Sequence, residues 1–175
     1  LWWSWSIMSL YTISEGDHYA SIMPSPHMGI TRLTGTVKFK DSCKYDFSNV
    51  FPCKNDTNKL VGIGYGLWPN SHHVWSIRIG WRVNSVGDLI ILFYTYVNGK
   101  IVNIRIGTSK SFKFETEYLF EIINDRLNRK AIIKFGEFEV SCPFDKEPTA
   151  GYILKPYFGG QCEAPHDMNI ELTYN

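Results

Sequence analysis

Apolar and polar residues alternate along most of the chain with a period of two, the signature of half-buried strands whose successive side chains point to opposite faces. The clearest stretch runs from Ser71 to Arg82. His73, Trp75, Ile77, Ile79 and Trp81 fall on one face, and Ser76, Arg78, Gly80 and Arg82 on the other. Strands are predicted at 2–13, 30–40, 59–66, 73–83, 88–97, 100–106, 117–123, 129–135, 137–142, 151–158 and 167–174, separated by Gly, Asn, Asp and Pro. No segment longer than ten residues keeps a helical period. The nearest is Glu115 to Arg129, but Phe112, Phe114, Tyr118, Phe120 and Ile122 alternate better as strand.

Three hairpins follow. Val97-Asn98-Gly99-Lys100 sets Asn-Gly between two apolar runs, a turn whose central residues must both accept positive φ. Asn84 to Asp88 and Asn124 to Asn128 turn two further pairs, while Ser42 to Asn58 and Pro143 to Pro148 read as long connections. Consecutive hairpins at this spacing predict an all-β fold: a two-sheet antiparallel β-sandwich of jelly-roll type, as one domain over 1–175.

Composition sharpens this in a few places. With 175 residues and 44% hydrophobic content the chain can fill a core without staples. The net charge of +1 and the lack of a basic stripe, the longest basic cluster being Arg126 to Lys130, exclude a nucleic-acid binder, which draws most of its affinity from phosphate neutralisation. Leu1 in place of Met points to a processed chain or a fragment. The run Leu1 to Leu10 is too short to span a bilayer and lacks the basic flank of a signal peptide, so it reads as a first strand. None of the four cysteines sits in a zinc-type spacing. Cys43–Cys53 and Cys142–Cys162 each bracket a loop and form one reading as two disulfides; buried free thiols are the other. Asn55-Asp56-Thr57 matches a glycosylation sequon.

The candidate site comes from the hairpin 73–97. Pairing its two apolar faces leaves Arg78 and Arg82 on the same surface as Tyr94 and Tyr96. Aromatic rings there suit the apolar face of a pyranose, and guanidinium groups suit hydroxyls or a uronate carboxylate. His72 and His73 stand at the start of the strand; as strand neighbours they would face opposite sides and could not share a metal. Tyr157 and His166, in the Gly- and aromatic-rich C-terminal run, complete the set of candidate ligand-binding residues. Asp167 opens the last strand, where a carboxylate caps a turn, pairs with a base or binds Ca²⁺. Neither G-x-S-x-G nor E-x-D-x-x-E occurs, and Glu115, Glu117, Glu121, Glu137 and Glu139 read as solvent-facing. A lyase-like set of Tyr94 or Tyr96, His72 or His73, and Arg78 is the one catalytic option.

Taken together, Asp56 to Gly64, Ser71-His72-His73 with Ser76 to Arg82, Tyr94 to Gly99, and Tyr157 to Gly160 with Ala164 to Asp167 resemble a group of uncharacterised proteins from Bacteroidetes and their phages. Val74-Trp75 departs from the small polar residues expected at the histidine loop. The resemblance implies a concanavalin A-like jelly roll of surface, secreted or virion proteins, an architecture that hosts glycan-binding modules and polysaccharide lyases or hydrolases. It also implies a structural Ca²⁺ at Asp167 with groups near Glu15-Gly16-Asp17. The leading expectation is a non-catalytic carbohydrate-binding or adhesion domain, extracellular, on a cell surface or phage particle. A virion structural protein (head decoration or fibre) and a polysaccharide lyase or hydrolase are the alternatives. The expected partners are a glycan or polysaccharide, with further copies or virion neighbours. Unpaired Trp2, Trp3 and Trp5 at the surface would favour the virion reading.

Overall fold

A computed structural model describes residues 8–46, 48, 53, 56–67, 70–107 and 112–175. The N-terminal tryptophans and the Asn55 sequon lie outside the described residues. Twelve strands appear in chain order: β1 (Ser9–Ile13), β2 (Ser25–Met28), β3 (Arg32–Phe39), β4 (Asn58–Tyr65), β5 (Trp75–Val83), β6 (Leu89–Val97), β7 (Lys100–Ile106), β8 (Glu117–Asp125), β9 (Lys130–Phe135), β10 (Phe138–Pro143), β11 (Ala150–Leu154) and β12 (Met168–Tyr174). Two single-turn 3₁₀ segments, Asp41–Cys43 and Ser71–His73, are the described helices.

The strands form two six-stranded antiparallel sheets, ordered β1-β12-β3-β8-β9-β10 and β2-β11-β4-β5-β6-β7. This is a jelly-roll β-sandwich. Alternation explains its core: Ile77, Ile79 and Trp81 of β5 and Ile91 and Phe93 of β6 meet Phe39, Ile122, Ile133 and Ile170 of the other sheet, all fully buried. Asn98 and Gly99 take φ of 49° and 80°, which lets the β6–β7 hairpin close in the turn its sequence requires. No helix among the described residues is long and apolar enough to cross a membrane.

Three details differ from the pattern. Strand β2 was not expected, because Pro24 and Pro26 interrupt it; it survives as an edge strand pairing β11 alone, where a missing N–H costs no ladder bond. Strand β11 stops at Leu154 instead of 158, since Pro156 cannot donate; Tyr157 then pairs separately with Lys59, N–H to O=C at 2.8 and 2.9 Å. His73 lies in the 3₁₀ turn before β5, not in the strand.

The cysteines pair across the molecule. Cys53 bridges Cys162, while Cys43 and Cys142 are free and buried, so neither predicted disulfide forms. The bridge ties the connection after β3 to the loop after Tyr157. Asp56 reinforces the junction by accepting the N–H groups of Gly160 and Gln161 at 3.1 and 3.0 Å.

Candidate functional site

The outward face of the second sheet forms the floor of a cleft of about 530 Å³. Register places Arg78 opposite Tyr94 and Ser76 opposite Tyr96 on β5 and β6. On the other side of β5, Gly62 and Gly64 of β4 lie opposite Arg78 and Ser76. A Cβ at Gly62 would stand 2.7 Å from Arg78 Cγ and 2.6 Å from the Ile77 carbonyl oxygen, so the missing side chain is what lets Arg78 lie across β4. Gly62→Ala should therefore cost about 1–3 kcal/mol in a denaturant melt and weaken ligand binding by displacing the guanidinium. Wild-type stability and binding in that variant would contradict this account of the floor.

Three segments wall the cleft. The turn Ser71–His73 brings both histidine rings to it, 4.2 Å apart between centroids, with His73 5.5 Å from Tyr96. The expectation that these histidines face opposite ways fails because they occupy a turn instead of a strand. The segment after β11 adds Pro156, Tyr157 and Gly160, and the one before β2 adds Tyr19, Ile22 and Pro24.

The electrostatics are unusual. Arg78 is 8% exposed and donates one hydrogen bond, from Nη2 to the Lys155 carbonyl oxygen; its Nε has no partner. Burial lowers its pKa to about 10, with the neighbouring Tyr94 and Tyr157 hydroxyls pulling the other way. Lys59, on β4 beside the irregularity in its pairing with β5, donates from Nζ to the Gly159 carbonyl at 2.8 Å and lies over the rings of Tyr94 and Tyr157 at 5.3 and 5.4 Å. Burial, and then the Arg78 charge, lower its pKa to about 8, against a weaker pull from Asp56. Burial first, then the Tyr96 hydroxyl, pushes the Tyr94 phenol well above its ordinary value. His72 falls to about 4 through burial and the charges of His73, Arg78 and Lys59, so it is neutral at pH 7. No carboxylate is among the described residues lining the cleft. The arrangement is a buried guanidinium beside a half-buried ammonium, ringed by phenols, with no described carboxylate in the lining.

Of the candidate residues, Arg78, Tyr94, Tyr96, His72, His73 and Tyr157 come together here. Arg82 shares the sheet face but lies two steps further along, past Gly80, opposite Ile90 and outside the cleft lining. His166 does not belong to the site: its Nε2 bonds the Ser42 carbonyl at 2.8 Å, where it holds the connection after β3. Asp167 is exposed, not buried, and accepts the Glu15 N–H at 2.9 Å, so it clasps a turn. Among the described residues no group of three His, Cys, Asp or Glu side chains is arranged to hold a metal ion.

Sequence reasoning missed Lys59 as a site residue, because a lysine at the start of a strand reads as a solvated edge. The signal was in the residues after it: Gly62 and Gly64 alternate with buried Val61 and Ile63, leaving one face bare for a neighbour to occupy. Ser76 and Tyr19 were also missed, Ser76 because its small side chain marks no chemistry by itself.

Comparison with known proteins bears on the fold. No protein-family model and no curated protein sequence matches the chain. Among solved structures, the alginate lyase Aly36B superposes over 95% of this chain and 79% of its own with a TM-score of 0.64 at 16% identity. Alginate lyase vAL-1 from Chlorella virus covers 99% and 85% with a TM-score of 0.55 at 9% identity. Alginate lyase AlyC3 covers 96% and 74% with a TM-score of 0.53 at 14% identity.

Proposed function

We propose that this chain acts on an acidic polysaccharide, binding a uronate unit in the cleft and cleaving the polymer by β-elimination. The observation that carries the reading is the Arg78–Lys59 pair, two inward cations in a cleft lined by no described carboxylate. A buried cation without a partner costs several kcal/mol, so it is kept where a ligand supplies the anion. Among the described residues lining the cleft there is no carboxylate pair, which argues against a glycosidase, since that chemistry needs two.

The chemistry follows from the positions. Arg78 pairs with the uronate carboxylate and, by withdrawing its charge, acidifies the hydrogen on the adjacent ring carbon. Lys59, a cation below about pH 8, takes that proton once it has lost its own and stands as the free amine. The electron pair left behind forms the ring double bond, and the bond from the next carbon to the glycosidic oxygen breaks. Tyr94 or Tyr96, held as a neutral phenol, gives its proton to the departing oxygen. Ser76, opposite Tyr96, is placed to bond a sugar hydroxyl. The Cys53–Cys162 bridge supports an oxidising, extracellular setting for this activity.

The test is incubation with alginate, pectate and hyaluronate, reading the ultraviolet absorbance of the unsaturated uronate product. Alginate comes first because it is the polymer named for the structural neighbours. Lys59 fixes the sign of the pH dependence: its amine becomes neutral as pH rises through about 8, so the rate should climb across that value. A rate that falls there would mean Lys59 serves as a cation, not a base. Tight binding without product would return the chain to the non-catalytic, adhesive reading. No binding to any acidic polymer would sink the proposal.

A further inference from the structure

Tyr19 stands at the mouth of the cleft with 67% of its surface exposed, yet its ring is fixed. It meets the Tyr157 ring edge-on at 4.9 Å and 82°, and Tyr157 lies flat on His18 at 5.2 Å and 11°. His18 is anchored in turn through Nδ1 to the Phe158 carbonyl at 2.9 Å, and its own carbonyl accepts the Phe158 N–H at 2.7 Å. The Tyr19 backbone bridges Tyr157, and the Ala20 N–H reaches the Pro156 carbonyl at 3.3 Å. An exposed ring packed edge-on against one neighbour, on a backbone that is itself pinned, loses little freedom when something stacks on its open face.

The ring also extends a row. Tyr157 and Tyr94 flank the Lys59 ammonium, Tyr94 meets Tyr96 at 5.8 Å, and Tyr96 meets His73 at 5.5 Å. The row crosses the cleft from the histidine turn to Tyr19, where Ile22 adds an exposed apolar edge. Arg78 and Lys59 occupy its middle, and the Tyr157 ring stands between Lys59 and Tyr19.

We infer that Tyr19, with Ile22 beside it, forms an outer subsite that stacks on the apolar face of a pyranose remote from the reacting unit, so that the protein favours long chains over short ones. The inference rests on the acidic-polysaccharide reading and extends it to chain length.

The test compares wild type, Tyr19→Ala and Tyr19→Phe on mannuronate, guluronate and galacturonate oligomers of graded length, read as Kd by calorimetry and as KM where product forms. For the longest oligomers Tyr19→Ala should weaken binding roughly five- to tenfold, the range for one aromatic contact. The shortest oligomer bound should be unaffected, and Tyr19→Phe should match wild type throughout. Equal loss at every length would overturn the subsite, because it would place the effect in Tyr157 and the central site. No loss at any length would overturn it as well. A wild-type chain that binds none of these oligomers would sink the parent reading and the subsite with it. That outcome is visible before any variant is made.

Discussion

Arg78→Met should abolish turnover of acidic polysaccharide, by about a thousandfold or more, while leaving the melting temperature unchanged or raised. The loss follows from role: a donor that neutralises developing charge contributes on that scale, and methionine keeps the stem but loses the charge and every donor. The gain or neutrality in stability follows from place. The guanidinium is 8% exposed, with one backbone hydrogen bond and an orphaned Nε, and replacing such an unpaired buried ion by an apolar side chain of similar length removes a desolvation penalty. Opposite signs in activity and stability are the mark of a functional site held against the preference of the fold. A variant that melts far below wild type would show Arg78 to be a structural brace, and one that keeps its activity would remove it from the mechanism. Ligand should raise the melting temperature of wild type and leave that of the variant where it is, because a bound anion stabilises only the chain that has the cation.

The second large effect concerns the Cys53–Cys162 bridge. It closes a sequence separation of 109 residues, for which loop-entropy arguments give a stabilisation of roughly 2–5 kcal/mol. Cys162→Ser, or reduction of the wild-type chain, should lower the melting temperature by about 10 °C. Activity should fall further than stability alone explains at temperatures where the protein stays folded. The bridge and Asp56 hold the loop whose Gly159 carbonyl receives Lys59, and that loop follows Tyr157. Activity that is insensitive to reduction in the folded chain would show that the strand pairing of Tyr157 with Lys59 suffices to position the site.

The strands and the two-sided character of the β5–β6 hairpin were legible because period-two alternation is a local property. Once Trp81 and Phe93 are assigned to the core, Arg78 and Tyr94 must share the other face. What escaped depends on non-local geometry. The tie of Cys53 to Cys162 arises because the connection after β3 and the loop after β11 meet, which no spacing along the chain reveals. His166 looked like part of the aromatic C-terminal run, yet the chain turns it toward Ser42. The two histidines were placed at the entry of the strand, with His73 inside it, because Val74 and Trp75 prolong the apolar pattern; the 3₁₀ turn that brings both to the cleft leaves no comparable trace. Lys59 was hidden by the convention that lysines face water. Only the register with β5 shows that water is largely excluded there.

The pairing of cysteines also bears on how the molecule comes to be made. Nearest-neighbour closures, Cys43 with Cys53 and Cys142 with Cys162, cost the least entropy in an open chain and would form first in an oxidising lumen. Neither is native. Both would sequester a partner of the native bridge, so escape requires exchange through a thiolate. The folded core stops that traffic afterward: burial raises the Cys43 thiol to about 12 and the Cys142 thiol to about 11, out of reach of exchange. The sequence therefore places a burden on the cell and not on the finished protein. Oxidised without a disulfide isomerase, the reduced chain would give a mixture of isomers. Only the fraction joined at Cys53 and Cys162 would have its cleft assembled.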